Sequence, residues 1–91
     1  MRPRRTPYEI YWEILTFCRS PKTFTAIINR GDLNSKIGQE YIQFLIGKGY
    51  ISEINEGEAR LFAATTRAND YLTLFTRLYR NLFDNSPEFK L

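Results

Sequence analysis

Residues 22–51 read KTFTAIINRGDLNSKIGQEYIQFLIGKGYI, and the fold follows from how this stretch is parsed. Ala26, Ile27 and the ring of Phe24 give Thr23–Arg30 one apolar helical face, which Gly31 is expected to end in the left-handed region. Asp32-Leu33-Asn34 makes a tight connection with Leu33 turned inward, and Asn34 caps a second helix over Ser35–Lys48, which Gly49 closes. A helix, a short turn beside a glycine and a further helix form a helix-turn-helix. At about 100° per residue, Ile37, Gly38, Tyr41, Ile42, Phe44, Leu45 and Ile46 cover more than half of the second helix. Lys36, Gln39, Glu40 and Gln43 fill the remaining arc. This amide-rich strip suits a groove-reading face, and it is equally what a solvated surface helix carries. The wide apolar arc lets Phe44 or Ile46 meet another element or another chain.

Upstream, residues 1–5 form a short basic arm. Thr6-Pro7-Tyr8-Glu9 is a helix start with a capping residue, a proline at the first position and a capping-box carboxylate. Ile10, Ile14 and Phe17 beside Tyr11, Leu15 and Cys18 make the apolar face of a helix of about 13 residues, stopped by Ser20-Pro21. Downstream, Tyr50–Ile54 and Ala59–Ala64 read as strands joined by a turn at Asn55-Glu56-Gly57-Glu58. Thr65 is expected to cap a last helix running to about Asp84, roughly 28 Å long. Its Ala68, Tyr71, Phe75, Leu78 and Leu82 make a seam of about two heptads, flanked by Leu72, Leu74, Tyr79 and Phe83. An exposed stripe of this kind calls for a partner, and the alternative is that both stripes wrap the first helix. The expected fold is therefore mainly α with a small β-hairpin. It divides into an arm (1–6), a helix-turn-helix with its hairpin (7–64), a dimerisation helix (65–84) and a tail (85–91).

Ninety-one residues allow one small core, and 43% apolar with 25% charged residues excludes disorder. With no His and a single Cys, neither a disulfide within the chain, a Cys/His zinc site nor a Ser–His or Cys–His nucleophile pair is possible. No metal, cofactor or enzymatic activity is expected. The longest apolar runs fall short of a membrane span, and the start lacks the apolar stretch of a signal peptide, so a cytoplasmic protein is expected. The net charge of +3 is unevenly spread: residues 1–36 hold seven basic and three acidic side chains, and residues 37–91 hold six and seven. A basic N-terminal third points to a polyanionic partner.

The order of helices, hairpin and final helix is that of a winged helix-turn-helix. Lys22-Thr23, Asn29 to Asn34, Tyr41 to Ile51 and Thr65 to Leu72 narrow it further. In these segments the chain resembles the small archaeal winged-helix family of about ten kilodaltons typified by the chromatin-associated proteins of Sulfolobus. The likeness extends over most of residues 7–83. It implies double-stranded DNA binding by a homodimer joined through the C-terminal helices, in a transcriptional regulator or a nucleoid-associated protein. Ala68 stands where the family usually has Gly, and the last helix is shorter than the family's long arm.

On this reading the Ser35–Lys48 helix enters the major groove, with Ser35, Lys36, Gln39 and Gln43 reading bases or holding phosphates. Lys22 and Thr23 at the start of the preceding helix meet phosphate, and Arg30 either adds a contact or is an ordinary surface charge. Arg2, Arg4 and Arg5 form a minor-groove arm or merely a solubilising terminus. The hairpin is acidic: Glu53, Glu56 and Glu58 surround Arg60, its one candidate phosphate contact. That charge favours an alternative, a protein–protein adaptor within a transcription or replication assembly. Tyr71, Phe75, Leu78 and Leu82 are the expected dimer contacts. Tyr8, Tyr11 and Trp12 are read as core residues rather than base-stacking ones, and Cys18 as a small buried hydrophobe.

Overall fold

The computed structural model describes residues 5–87. Helix α1 spans Pro7–Phe17, and Thr6 and Glu9 form the capping box, with each backbone N–H donating to the other's side chain at 3.2 Å. It is shorter than expected because the Cys18 carbonyl accepts instead from the Ala64 N–H at 2.8 Å, which ties the end of α1 to the sheet. That sheet has an unexpected member. Lys22–Thr23 form strand β1, antiparallel to β3 (Ala59–Ala64), whose other edge pairs with β2 (Ile51–Glu56), giving the order β1-β3-β2. A two-residue strand has no periodicity to read, so only the tertiary pairing reveals it.

Thr23 also caps α2 (Phe24–Gly31), its hydroxyl accepting from the Ala26 N–H at 3.2 Å. Gly31 was expected to take the left-handed conformation, but Asp32 does so, at φ 55° and ψ 50°. Leu33 N–H reaches the Ile28 carbonyl and Asp32 N–H the Asn29 carbonyl, the paired bonds of a Schellman ending. Gly31 stays helical and buried, closely covered by Leu33. Asn34 caps α3 (Ser35–Gly47) as expected, accepting from Ile37 N–H at 2.8 Å.

The hairpin turn is tighter than expected. Strand β2 continues to Glu56, and Gly57-Glu58 alone form the loop, with Gly57 at φ +59°. A positive φ at the first loop residue only is the type II′ arrangement, which suits the twist of the strands.

Thr65 does not cap the last helix. Its hydroxyl donates to the Gly49 carbonyl at 2.6 Å and its N–H to the Tyr50 carbonyl at 2.9 Å, so it is committed to the loop leading into β2. Helix α4 starts three residues later and spans Ala68–Phe83 without a side-chain cap. One core joins Ile10, Ile14, Leu15 and Cys18 of α1 to Ile27, Ile42, Leu45, Ile51 and Phe62, with Ala68 and Leu72 from α4. No described helix is long and apolar enough to cross a membrane.

Candidate nucleic-acid interface

Helix α3 packs Gly38, Ile42 and Leu45 into the core and presents Ser35, Lys36, Gln39, Glu40 and Gln43 to solvent. Burial of one side leaves the amide row pointing outward. From Lys36 to Gln43 it runs about 10 Å along the axis, a length that fits a major groove. Phe44 does meet another element: it stacks on Tyr11 at 5.1 Å with the rings 20° apart, and Lys48 lies 5.5 Å above it. It is still 45% exposed. Tyr11 is half-buried among Tyr41, Phe44 and Tyr71, and burial with the neighbouring phenols raises its pKa. Tyr8 is an exception to the expected core packing and stands largely exposed.

At the start of α2, Thr23 is exposed, whereas Lys22 is turned aside. Its ammonium donates to Ser20 Oγ at 2.5 Å and sits 4.7 Å over the Phe17 ring. Arg30 lies half-buried in the last turn of α2 and shares a crevice with Glu13 and Gly31.

Arg5 is not part of a free arm. Its guanidinium pairs with the Glu13 carboxylate and donates to the Gly31 carbonyl, and the two side chains are only 6% and 3% exposed. This corrects the expectation of a minor-groove contact, because a cation already satisfied and enclosed cannot reach phosphate. The available signal was Glu13, a carboxylate bordering the apolar face of α1, where burial of an ionised group calls for a partner. Arg2 and Arg4 lie outside the described residues.

Arg60 is likewise occupied. It grips Glu53 with a two-pronged ion pair, Nη2 to Oε1 and Nε to Oε2 at 2.9 Å each, and lies 5.3 Å over the Phe62 ring. The pairing raises the Arg60 pKa further. Glu56 and Glu58 remain exposed at the tip, so the hairpin presents negative charge.

The α4 seam divides between two environments. Ala68 is in the core, Tyr71 and Phe75 are half-buried, and Leu78 and Leu82 are exposed. Tyr71, Phe75, Tyr79 and Phe83 form a ladder of rings 4.7–6.0 Å apart, and the Tyr71 hydroxyl donates to the Tyr8 carbonyl at 2.5 Å. Desolvation in that position raises the Tyr71 pKa. Beside the ladder runs the exposed row Leu74, Leu78, Leu82. Between this row and the start of α1 lies a groove of about 470 Å³ lined by Tyr8, Tyr50, Tyr71 and Phe75, continuing toward Tyr79 and Phe83. No ligand pocket was expected from the sequence, because the groove forms only where two distant segments meet.

A family model described as winged helix-turn-helix matches residues 4–82. No curated protein matches the chain by sequence. Among solved structures the chain is similar to Sso10a-2, a DNA-binding protein from Sulfolobus solfataricus, at 23% identity and a TM-score of 0.74, covering 88% of this chain and 87% of that one. The transcriptional regulator BldR from the same organism is 18% identical with a TM-score of 0.74, over 82% of this chain and 57% of that one. A homodimeric winged helix-turn-helix DNA-binding domain from Mycobacterium bovis is 15% identical with a TM-score of 0.69, over 87% and 76%.

Proposed function

Since the chain belongs to the winged helix-turn-helix family, we propose that it is a double-stranded DNA-binding protein acting as a homodimer, a transcriptional regulator or nucleoid-associated protein of the small Sulfolobus type. The observation that carries this reading is the exposed row Ser35, Lys36, Gln39 and Gln43 on a helix whose other side is locked into the core. Gln39 and Gln43 are the base-reading candidates, since an amide can pair with both N6 and N7 of adenine. Lys36 and the exposed end of α2 at Thr23 are the phosphate contacts. The DNA-binding descriptions of the similar Sulfolobus and Mycobacterium proteins support the same assignment. A DNA partner places the protein in the compartment that holds the genome.

The partner at α4 is a second copy. Leu74, Leu78 and Leu82 form a ridge beside a groove floored by Tyr71 and Phe75, so one surface carries both a projection and its recess. Self-complementarity of that kind is what a two-fold interface requires. Duplex binding measured by fluorescence anisotropy between about 50 and 200 mM salt tests the DNA assignment, and affinity should fall steeply as counterions compete. Failure to bind any duplex at the lowest salt would leave the adaptor reading, which the acidic hairpin tip favours.

A further inference from the structure

We infer that Arg5 is a positioning residue for α3, one that governs duplex affinity without touching DNA; this rests on the DNA-binding reading of α3. Arg5 precedes the first helix, yet its guanidinium joins two elements that the chain separates widely. One arm of the fork holds Glu13, inside α1, and another holds the carbonyl of Gly31, 26 residues later. Gly31 is the last residue of α2, and the left-handed Asp32 that redirects the chain toward α3 follows it directly.

A cation at the C-terminal end of a helix is favoured by the helix dipole, and here it also neutralises a carboxylate that would otherwise be an uncompensated buried charge. The planar fork suits this task. A guanidinium can address a carboxylate and a carbonyl from different N–H groups at once, whereas an ammonium on a flexible stem acts as a point charge. With the fork in place, α1 and the end of α2 are fixed relative to each other, and the Asp32-Leu33-Asn34 connection departs from a fixed point. That connection sets where α3 begins, and the burial of Gly38, Ile42 and Leu45 holds the rest of the helix, so the presentation of Lys36, Gln39 and Gln43 depends on both.

The test compares the full-length protein with Arg5→Lys and with the double variant Arg5→Met/Glu13→Leu. The first keeps the ion pair and loses the fork. The second removes both buried charges together, an exchange that buried pairs commonly tolerate without loss of stability, and so guards against simple unfolding. Amide exchange at Asp32 and Leu33 should accelerate at least about tenfold in both variants while the β2–β3 amides stay unchanged, since local opening is independent of the global fold. Duplex affinity at fixed salt should drop about tenfold with the slope of log affinity against log salt unaltered. A slope shallower by about 0.9 would mean that Arg5 neutralises a phosphate, and would overturn the inference. Unchanged exchange at Asp32 and Leu33 would overturn it as well. If the wild-type protein binds no duplex, the DNA reading fails by itself, and the exchange measurement still decides whether the fork holds the turn.

Discussion

Gly38 of α3 lies so close to Ile28 of α2 that a Cβ built on it would come within 2.5 Å of Ile28 Cγ2. The branched methyl is held near its own backbone and cannot swing clear, as the end of a long side chain would. The two helices of the helix-turn-helix thus approach at a point where only hydrogen fits.

Gly38→Ala should therefore destabilise the protein, although alanine is the better helix former. The helical preference favours alanine by about 0.5–1 kcal/mol, and overpacking costs roughly 1–3 kcal/mol, so packing wins. At about 4–8 °C per kcal/mol for a domain of this size, the melting temperature should fall by several degrees. A variant melting at or above the wild-type temperature would contradict the close approach.

Leu78→Glu should yield monomers. Leu78 is 56% exposed on the α4 ridge, so a carboxylate there is harmless to the isolated fold and costly in an apolar contact. Phe75 is a poorer site for this test because it stacks on Tyr71 at 5.7 Å within the same chain. Light scattering should give half the wild-type mass with an unchanged circular dichroism spectrum. An undiminished mass would exclude α4 as the seam.

The α3 row should separate into two behaviours. Gln39→Ala and Gln43→Ala should lose about 1–3 kcal/mol on a preferred duplex and little on random sequence, because an amide pairing with a base edge discriminates. Lys36→Ala should weaken all duplexes alike and flatten the salt dependence by about 0.9. Titrations on both duplexes distinguish the roles, and equal losses for all three variants on every sequence would deny base reading.

Alkaline stability should report Cys18. Burial pushes its thiol up to about 12, well above the range of a solvated cysteine. The folded state keeps this proton while the unfolded chain loses it, so the contribution is complete below the unfolded pKa, near 8.5. It is lost as pH rises toward about 12, at up to about 1.4 kcal/mol per pH unit. In denaturant melts between pH 9 and 11, Cys18→Ala should lose stability with pH more gently than the wild type. Parallel slopes would mean that the thiol is not buried in solution.

Features carried by local chemistry were legible without coordinates. The capping box at Thr6 and Glu9, the Asn34 cap and a hairpin turn around Gly57 each depend on residues a few positions apart. The exposed strip of α3 was legible too, since Gly38, Ile42 and Leu45 recur at the helical period. Thr65 shows where such reasoning ends. It has the chemistry of a cap, but the Gly49 carbonyl, sixteen residues away, takes its hydroxyl.

The sequence by itself determined the order of the four helices and the hairpin, the wide apolar faces and the amide row, because hydrophobic periodicity and capping act within a few residues. Only the tertiary structure decided which charges are free. Arg5, Lys22 and Arg60 all read as candidate DNA contacts, yet Glu13 with Gly31, Ser20 with Phe17, and Glu53 with Phe62 engage them. It also decided that the α4 seam divides, with Ala68 inward and Leu78 outward. Availability to a partner depends on what the rest of the fold brings alongside, and sequence distance places no limit on that.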